Sequence, residues 1–410
     1  MKILKEKRIL GIIFCLALII RLVFVLTLPL QAPDAVDYDR YALHILNGLG
    51  FSTDLNRAPL YPTFLAAIYL VFGHSFLAVR IIQSILGAIT CLLVYFIGER
   101  IFKNKKAAIL GAGTAIISPS LVASNSYILT ETLTTFLLTI AVVLLMKALA
   151  SKKRQDWIAG GIFLGLSTLT RPITFLFPFF LLLALLLFFK KRLQNFIFVL
   201  IFSLAMAGTI LPWTIRNYFV FKEFIPITTG GGSNLWIGSY LPWNGDYNYK
   251  DLSDMDELTK GLSLIERDKK LLEEARKNIK KNPGTYSLLC LKKLGRFWLQ
   301  IPGGKRVLEG KNLEKALIFT FHYIVLLFFF LGIFFSLKER NKEVFIPLLM
   351  IFYFTVIHSL LFAIPRYRIS IMPLVLAIAG GGLEKIVHSS KRRSWIATSS
   401  ATESMANSSQ

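Results

Sequence analysis

Charge is what this chain has least of. Only 17% of its 410 residues are Asp, Glu, Lys or Arg, against about 25% in an average soluble protein. Hydrophobic residues make up 54%, and mean hydropathy is +0.58. Cysteine is nearly missing too: Cys15, Cys91 and Cys290 are odd in number and scattered. That excludes a disulfide framework and a CxxC metal pair. No run of alternating ten-residue strands occurs, which excludes a membrane barrel. The five histidines form no HExxH pair. The stretch Gly230-Gly231-Gly232-Ser233-Asn234 has no Gly-Lys-Ser/Thr ending, so it reads as a permissive turn and not a phosphate loop.

What is present are apolar runs long enough to cross about 30 Å of hydrocarbon. In lipid the backbone must satisfy its own polar groups, so these runs are helices. The expected class is an all-α integral membrane protein with about ten spans: 9–29, 76–98, 107–124, 130–149, 157–172, 173–189, 195–212, 316–336, 344–363 and 369–386. Span 9–29 follows a basic start like that of a signal peptide. It is too long and lacks a small-residue cleavage site, so it is expected to be retained. The chain divides into an N-terminal membrane module (1–212), an external and mainly helical domain (213–315), C-terminal spans (316–390) and a polar, disordered tail (391–410).

The net charge of +23 is a topology signal. With a cytoplasmic N-terminus, the inner segments hold 22 Lys and Arg, while the short outer ones hold only Arg40, Arg57, Arg171, Arg366 and Arg368. Another 18 lie in 213–315, and Arg21 and Arg80 fall within spans, where pairing with carboxylates or reaching the interface is expected. The positive-inside rule then places both termini in the cytoplasm of a cell (inner) membrane. Nucleic acid is not an expected partner.

Chemistry concentrates on the outer side. Loop 30–75 carries Asp34, Asp37 and Asp39 within six residues, followed by Arg57 and a short apolar helix, Tyr61 to Phe72, after Pro59. The acids fit two readings: an N-cap with a solvated face, or a base that takes a proton from a substrate hydroxyl. Arg57, Arg171, Arg216, Arg366 and Arg368 are retained against the topology rule, which points to an anion handled at the outer leaflet. Glu131 opens the fourth span, either complementing the helix dipole or serving the site. In the external segment, periodicity predicts one helix from Asp256 to Lys281, stopping at Asn282-Pro283-Gly284.

These residues form an ordered series. Asp37-Tyr38-Asp39-Arg40-Tyr41-Ala42, Arg57-Ala58-Pro59-Leu60-Tyr61-Pro62, Thr130-Glu131-Thr132 and Thr170-Arg171-Pro172 come first. Arg216-Asn217-Tyr218, Ser233-Asn234-Leu235-Trp236 and Pro365-Arg366-Tyr367-Arg368 follow. From residue 9 to about 386 the series resembles the bacterial branch of the dolichyl-phosphate-mannose–protein mannosyltransferase family, with the GT-C fold, whose relatives include the aminoarabinose transferase acting on lipid A.

The resemblance implies a polyprenyl-phosphate-linked sugar donor and a lipid, glycan or protein acceptor at the outer face of the membrane. It assigns the catalytic base to Asp37, with Asp39 and Asp34 as alternatives, and donor-phosphate contacts to the five arginines. Glu131 becomes the second outer-loop acid, and Tyr61, Tyr41 and Asn217 become further site candidates. Tyr38 stands where family members often carry Glu. Arg57-Ala58-Pro59 stands where the lipid A enzyme has a metal-assisting Glu-Lys-Pro, so no metal ligand is assigned. A flippase for a lipid-linked saccharide, or a related glycan polymerase or ligase, is the alternative. A flippase needs polar residues through the middle of its spans, and these are sparse here.

Overall fold

A computed structural model describes residues 2–51, 55–247, 252–301 and 312–388, and contains no strand among them. The polar tail expected after 390 lies outside the described residues. Five helices build the first half: α1 (Lys2–Thr27), α2 (Asp34–Leu46), α3 (Leu60–Phe72), α4 (Phe76–Phe102) and α5 (Lys105–Ile116). Five more complete the N-terminal bundle: α6 (Pro119–Ser126), α7 (Glu131–Ser151), α8 (Arg154–Thr170), α9 (Phe177–Phe188) and α10 (Arg192–Phe221). The polar segment contributes α11 (Gly231–Ser239), α12 (Ser253–Leu258), α13 (Leu264–Lys281) and α14 (Pro283–Leu299). Then come α15 (Asn312–Lys338), α16 (Phe345–Leu360) and α17 (372–388), the last preceded by a 3-10 turn over Pro365–Ile371.

Among the described residues seven helices are long and apolar enough to cross a membrane, and the pair α5–α6, bent by 46° at Ser118-Pro119, makes an eighth if it is one span. The remaining two expected spans correspond to α8 and to the apolar stretch Pro172–Phe188. All ten therefore have a helical counterpart. One boundary differs: α10 runs on to Phe221 with Pro212 inside it, so 213–221 continues the last span of the first module.

Small residues let the spans approach closely. A Cβ on Gly380 would lie 2.4 Å from the Gly111 nitrogen, and one on Gly87 would lie 2.7 Å from both Arg21 Nε and Asn125 Oδ1. Such contact favours association where no hydrophobic driving force separates helix from lipid. Arg21 finds no carboxylate, contrary to expectation. It is 1% exposed and donates to Ala17 O, Cys91 Sγ and Ala115 O. Arg80 likewise donates to the Ser126 and Leu30 carbonyls. Three of these acceptors are carbonyls at or just beyond helix ends: Ala115 O in the last turn of α5, Ser126 O at the end of α6 and Leu30 O after α1.

The segment between α10 and α15 also departs from the single helix expected. Residues 259–263 separate α12 from α13, with Gly261 at φ +76°. Ser263 then caps α13 reciprocally with Glu266. The buried seam of α13 is Leu271 and Ala275, while Leu258 and Leu262 are exposed. Leu271 and Ala275 pack with Trp236, Trp243 and Met255 against Phe362, which follows α16. This packing brings the polar segment onto the end of the bundle that carries α2 and the Pro365–Ile371 turn.

Candidate active site

Proline and a helix start set the first group. Helix α2 begins at Asp34, and the 3.6-residue period puts Asp34, Asp37, Tyr38 and Tyr41 along one side of it. Pro59 immediately precedes α3, and Arg57 lies in the bend two residues before it. Arg57 Nη2 reaches Asp34 Oδ1 at 3.0 Å and Asp37 Oδ2 at 2.9 Å. Its guanidinium lies 5.1 Å from the Tyr38 ring centroid, and that ring packs edge-on against Tyr61 at 5.0 Å.

Two later breaks supply the other cations. Pro172 ends α8 at Thr170 and leaves Arg171 extended; Arg366 lies in the turn before α17. Arg366 Nη2 is 2.9 Å from Asp34 Oδ2, and its Nε is 2.9 Å from Glu131 Oε1. Arg171 Nη1 reaches the same Glu131 oxygen at 3.3 Å and lies over the Tyr367 ring at 4.4 Å. Glu131 is 2% exposed, and its Oε2 has no hydrogen-bond partner among the described residues. Three guanidiniums and three carboxylates thus form one continuous chain drawn from five separate parts of the sequence.

The three carboxylates of the first loop are not equivalent. Asp34 has an arginine on each oxygen. Burial raises its pKa, but the Arg366 and Arg57 charges outweigh that and hold it below the usual carboxylate value. Asp39 faces elsewhere: its Oδ1 accepts the Tyr69 hydroxyl at 2.7 Å and lies 2.8 Å from His74 Nε2. Asp37 keeps one oxygen lightly engaged, 3.6 Å from Arg40 Nη2, with its side chain 40% exposed.

A cavity of about 2030 Å³ opens beside this cluster. Asp34, Tyr38, Arg57, Arg171 and Arg366 line it from the bundle, and Trp243, Tyr247 and Arg296 from the polar segment. A site for one small ligand has roughly 300–1,000 Å³, so there is room here for two reactants together.

Several expected site residues stand apart from the cluster. Arg216 donates to Phe51 O and stacks on Trp213. Arg368, 3% exposed, donates to the Phe297 and Gln300 carbonyls. Asn217 is fully buried and donates to Ile225 O and Ile227 O, closing the turn after α10. Tyr61 is buried with its hydroxyl on Gln83 Oε1 at 2.8 Å; Tyr41 is buried beside Arg40. Tyr38, Tyr367 and Arg296 line the cavity although the sequence reading gave them no role. For Tyr367 the signal was its place between two outer arginines. The Gly-rich stretch is not a loop turn. Only Gly230 has a positive φ (+130°), and α11 starts at Gly231. The Gly232 and Ser233 amides donate to the Asp268 carboxylate. Among the described residues no three His, Cys, Asp or Glu side chains are grouped to hold a metal ion.

The bundle of apolar helices, with an acidic first loop at one end and a polar segment folded over that loop, is a fold of the GT-C type shared with solved neighbours. Residues 56–215 match the family model described as dolichyl-phosphate-mannose-protein mannosyltransferase. Among solved structures, the oligosaccharyltransferase AglB from Archaeoglobus fulgidus, in complex with an inhibitory peptide and a dolichol-phosphate, superposes with a TM-score of 0.59 at 14% identity. A second structure of an oligosaccharyltransferase from that organism, tethered with an acceptor peptide, gives 0.57 at 15% identity. They cover 97% and 93% of this chain, which spans only 52% and 49% of theirs. ArnT from Cupriavidus metallidurans bound to undecaprenyl phosphate gives 0.47 at 12% identity, covering 91% of this chain and 77% of its own. No curated protein matches the chain.

Proposed function

We propose that this protein moves a sugar from a polyprenyl-phosphate donor to a hydroxyl of a lipid, glycan or protein acceptor, at the outer face of a cell (inner) membrane. The observation that carries this reading is the convergence of Arg57, Arg171 and Arg366 on one wall of the cavity, at the end of an apolar bundle. Planar guanidiniums suit a phosphate oxyanion. A family model built on dolichyl-phosphate-mannose enzymes supports the same donor class. Both termini lie in the cytoplasm on this reading, because the short inner segments carry 22 Lys and Arg against five in the short outer ones.

The donor is a phosphodiester with one negative charge. It takes a place among Arg57, Arg171 and Arg366, which the carboxylates hold in position beforehand. The acceptor hydroxyl gives its proton to Asp37 and attacks the anomeric carbon from the face opposite phosphate, inverting it. The bond from that carbon to the phosphate oxygen breaks, its electron pair stays on the oxygen, and the leaving phosphate gains a second charge. The three cations therefore bind the departing group more strongly than the donor, which is the condition for raising turnover. Asp34 is the poorer base because both its oxygens hold arginines and its pKa is lowered.

The test is sugar transfer in proteoliposomes supplied with polyprenyl-phosphate sugars. Asp37→Asn is expected to lose about 10²–10⁴-fold in turnover while undecaprenyl phosphate still binds. Full turnover in that variant transfers the role to another carboxylate. A continuous passage of lipid-linked sugar to the cytoplasmic face without transfer supports a flippase instead.

A further inference from the structure

Tyr38 occupies the centre of the charged cluster and takes part in none of its ion pairs. It is 8% exposed, yet it lines the cavity. The Tyr61 ring packs against its own, and the Arg57 guanidinium lies over it. Its hydroxyl makes no hydrogen bond to any described residue. The charges acting on that hydroxyl are Arg57, Arg171, Glu131 and Asp34, the groups that surround the candidate phosphate position. A nearly buried phenol with its ring fixed and its hydroxyl free, facing a cavity, has a donor to spend.

Resting on the polyprenyl-phosphate reading above, we infer that the Tyr38 hydroxyl is a hydrogen-bond donor to the leaving phosphate, and so a catalytic residue beyond the base and the arginines. The bond strengthens as the reaction proceeds. Before transfer the phosphate is a diester with one negative charge; once the sugar has left, it is a monoester carrying a second. A neutral donor aimed at that oxygen gains more from the dianion than from the monoanion. No proton leaves Tyr38, and the acceptor's proton goes to Asp37, so the reaction balances without it.

The donor role needs the phenol protonated, and its setting meets that need. Burial pushes the Tyr38 pKa up, with Glu131 and Asp34 adding to the rise and Arg57 and Arg171 opposing it, for a net increase above 10.0. A carboxylate at this position would be an acceptor at neutral pH and would repel the phosphate. Tyrosine keeps the site free of a further negative charge, leaving three cations against three acids.

The experiment compares wild type with Tyr38→Phe in nanodiscs at about pH 8, where a phosphate monoester is dianionic. Two probes are used: undecaprenyl phosphate and its monoanionic methyl ester. Phenylalanine keeps the ring contacts with Tyr61 and Arg57, and loss of a hydroxyl that bonds no protein group orphans no partner. A thermal midpoint equal to wild type verifies the fold. The expected result is about a 10-fold loss in affinity for undecaprenyl phosphate with little change for the methyl ester, and a shift of the bound phosphate's ³¹P resonance. Equal affinities of the two proteins for both probes overturn the Tyr38 assignment, as does an equal loss for both. If wild type binds neither probe, the lipid-phosphate reading itself falls, and that outcome is distinct from the other two.

Discussion

The identity of an ionisable residue says less about its task than the partners it meets. Arg366 and Arg368 are two positions apart in the Pro365–Ile371 turn, yet one bridges Asp34 and Glu131 at the cavity while the other turns inward to two carbonyls at the end of α14. The 3-10 turn sends them to different sides. In the sequence the two arginines look alike; only the fold separates the one facing the cavity from the one holding the backbone. The same holds for Asp34, Asp37 and Asp39. Their spacing made all three candidates, and α2 then rotated Asp39 towards Tyr69 and His74.

A pH dependence follows at Asp34. Its folded pKa is lowered by Arg366 and Arg57 against the effect of burial. The unfolded chain therefore binds this proton more tightly than the folded one, and the ion pairs contribute stability above the ordinary carboxylate pKa of about 3.9. That contribution is lost as pH falls through the lower folded value. The purified protein should show an apparent melting midpoint falling on acidification below about pH 4, with a shallower fall in Asp34→Asn. Parallel curves for the two proteins would contradict the linkage.

At the scale of elements, helix limits were legible wherever a residue forces them. Pro59 and Gly73 bracket α3, which runs from Leu60 to Phe72, and Asn282-Pro283 marks the change from α13 to α14. The α12–α13 break was missed. Apolar residues at helical spacing continue through it and masked the local signals that make it, Gly261 at φ +76° and the Ser263–Glu266 capping box. Nor could periodicity reveal what holds this segment to the bundle. Lys293, fully buried, donates to Gly238 O of α11 at 2.9 Å and to Leu360 O and Leu361 O, both at 3.0 Å. A Cβ on Gly238 would lie 1.6 Å from Leu361 O, so this junction depends on glycine there.

Lys293→Met preserves most of the volume and removes the donor. The Leu360 carbonyl keeps the Tyr286 hydroxyl at 2.6 Å; the other two lose the lysine. The expected cost is on the order of 2–3 kcal/mol, read as a lower melting midpoint together with faster proteolysis between α11 and α14. An unchanged midpoint and digestion pattern would show that the lysine does not hold the junction.

Over the whole molecule, two distributions built from different residues agree. Among the short loops, basic residues cluster at one set, and the chain of ion pairs gathers at the opposite end, where α2, α7 and the turns after α8 and α16 meet. Hydropathy alone identified the bundle, since the cost of burying an unpaired backbone group in lipid leaves few alternatives. The site was legible as a set of charges in loops of one side but not as a geometry, because its members come from residues 34, 37, 57, 131, 171 and 366, and only long-range packing joins them. The cavity beside them belongs to neither half of the chain. The bundle and the polar segment each supply both charged and aromatic side chains to its wall, Arg57, Arg366 and Tyr38 from the first and Arg296, Trp243 and Tyr247 from the second.

The claim on which everything else depends is that these guanidiniums hold a lipid phosphate. Native mass spectrometry of the protein in nanodiscs, titrated with undecaprenyl phosphate, measures that directly for wild type, Arg57→Gln and Arg366→Gln. Each substitution should weaken binding by about tenfold or more, since a charge-assisted hydrogen bond contributes roughly 1.5–3 kcal/mol. Undiminished binding in both variants would contradict the account.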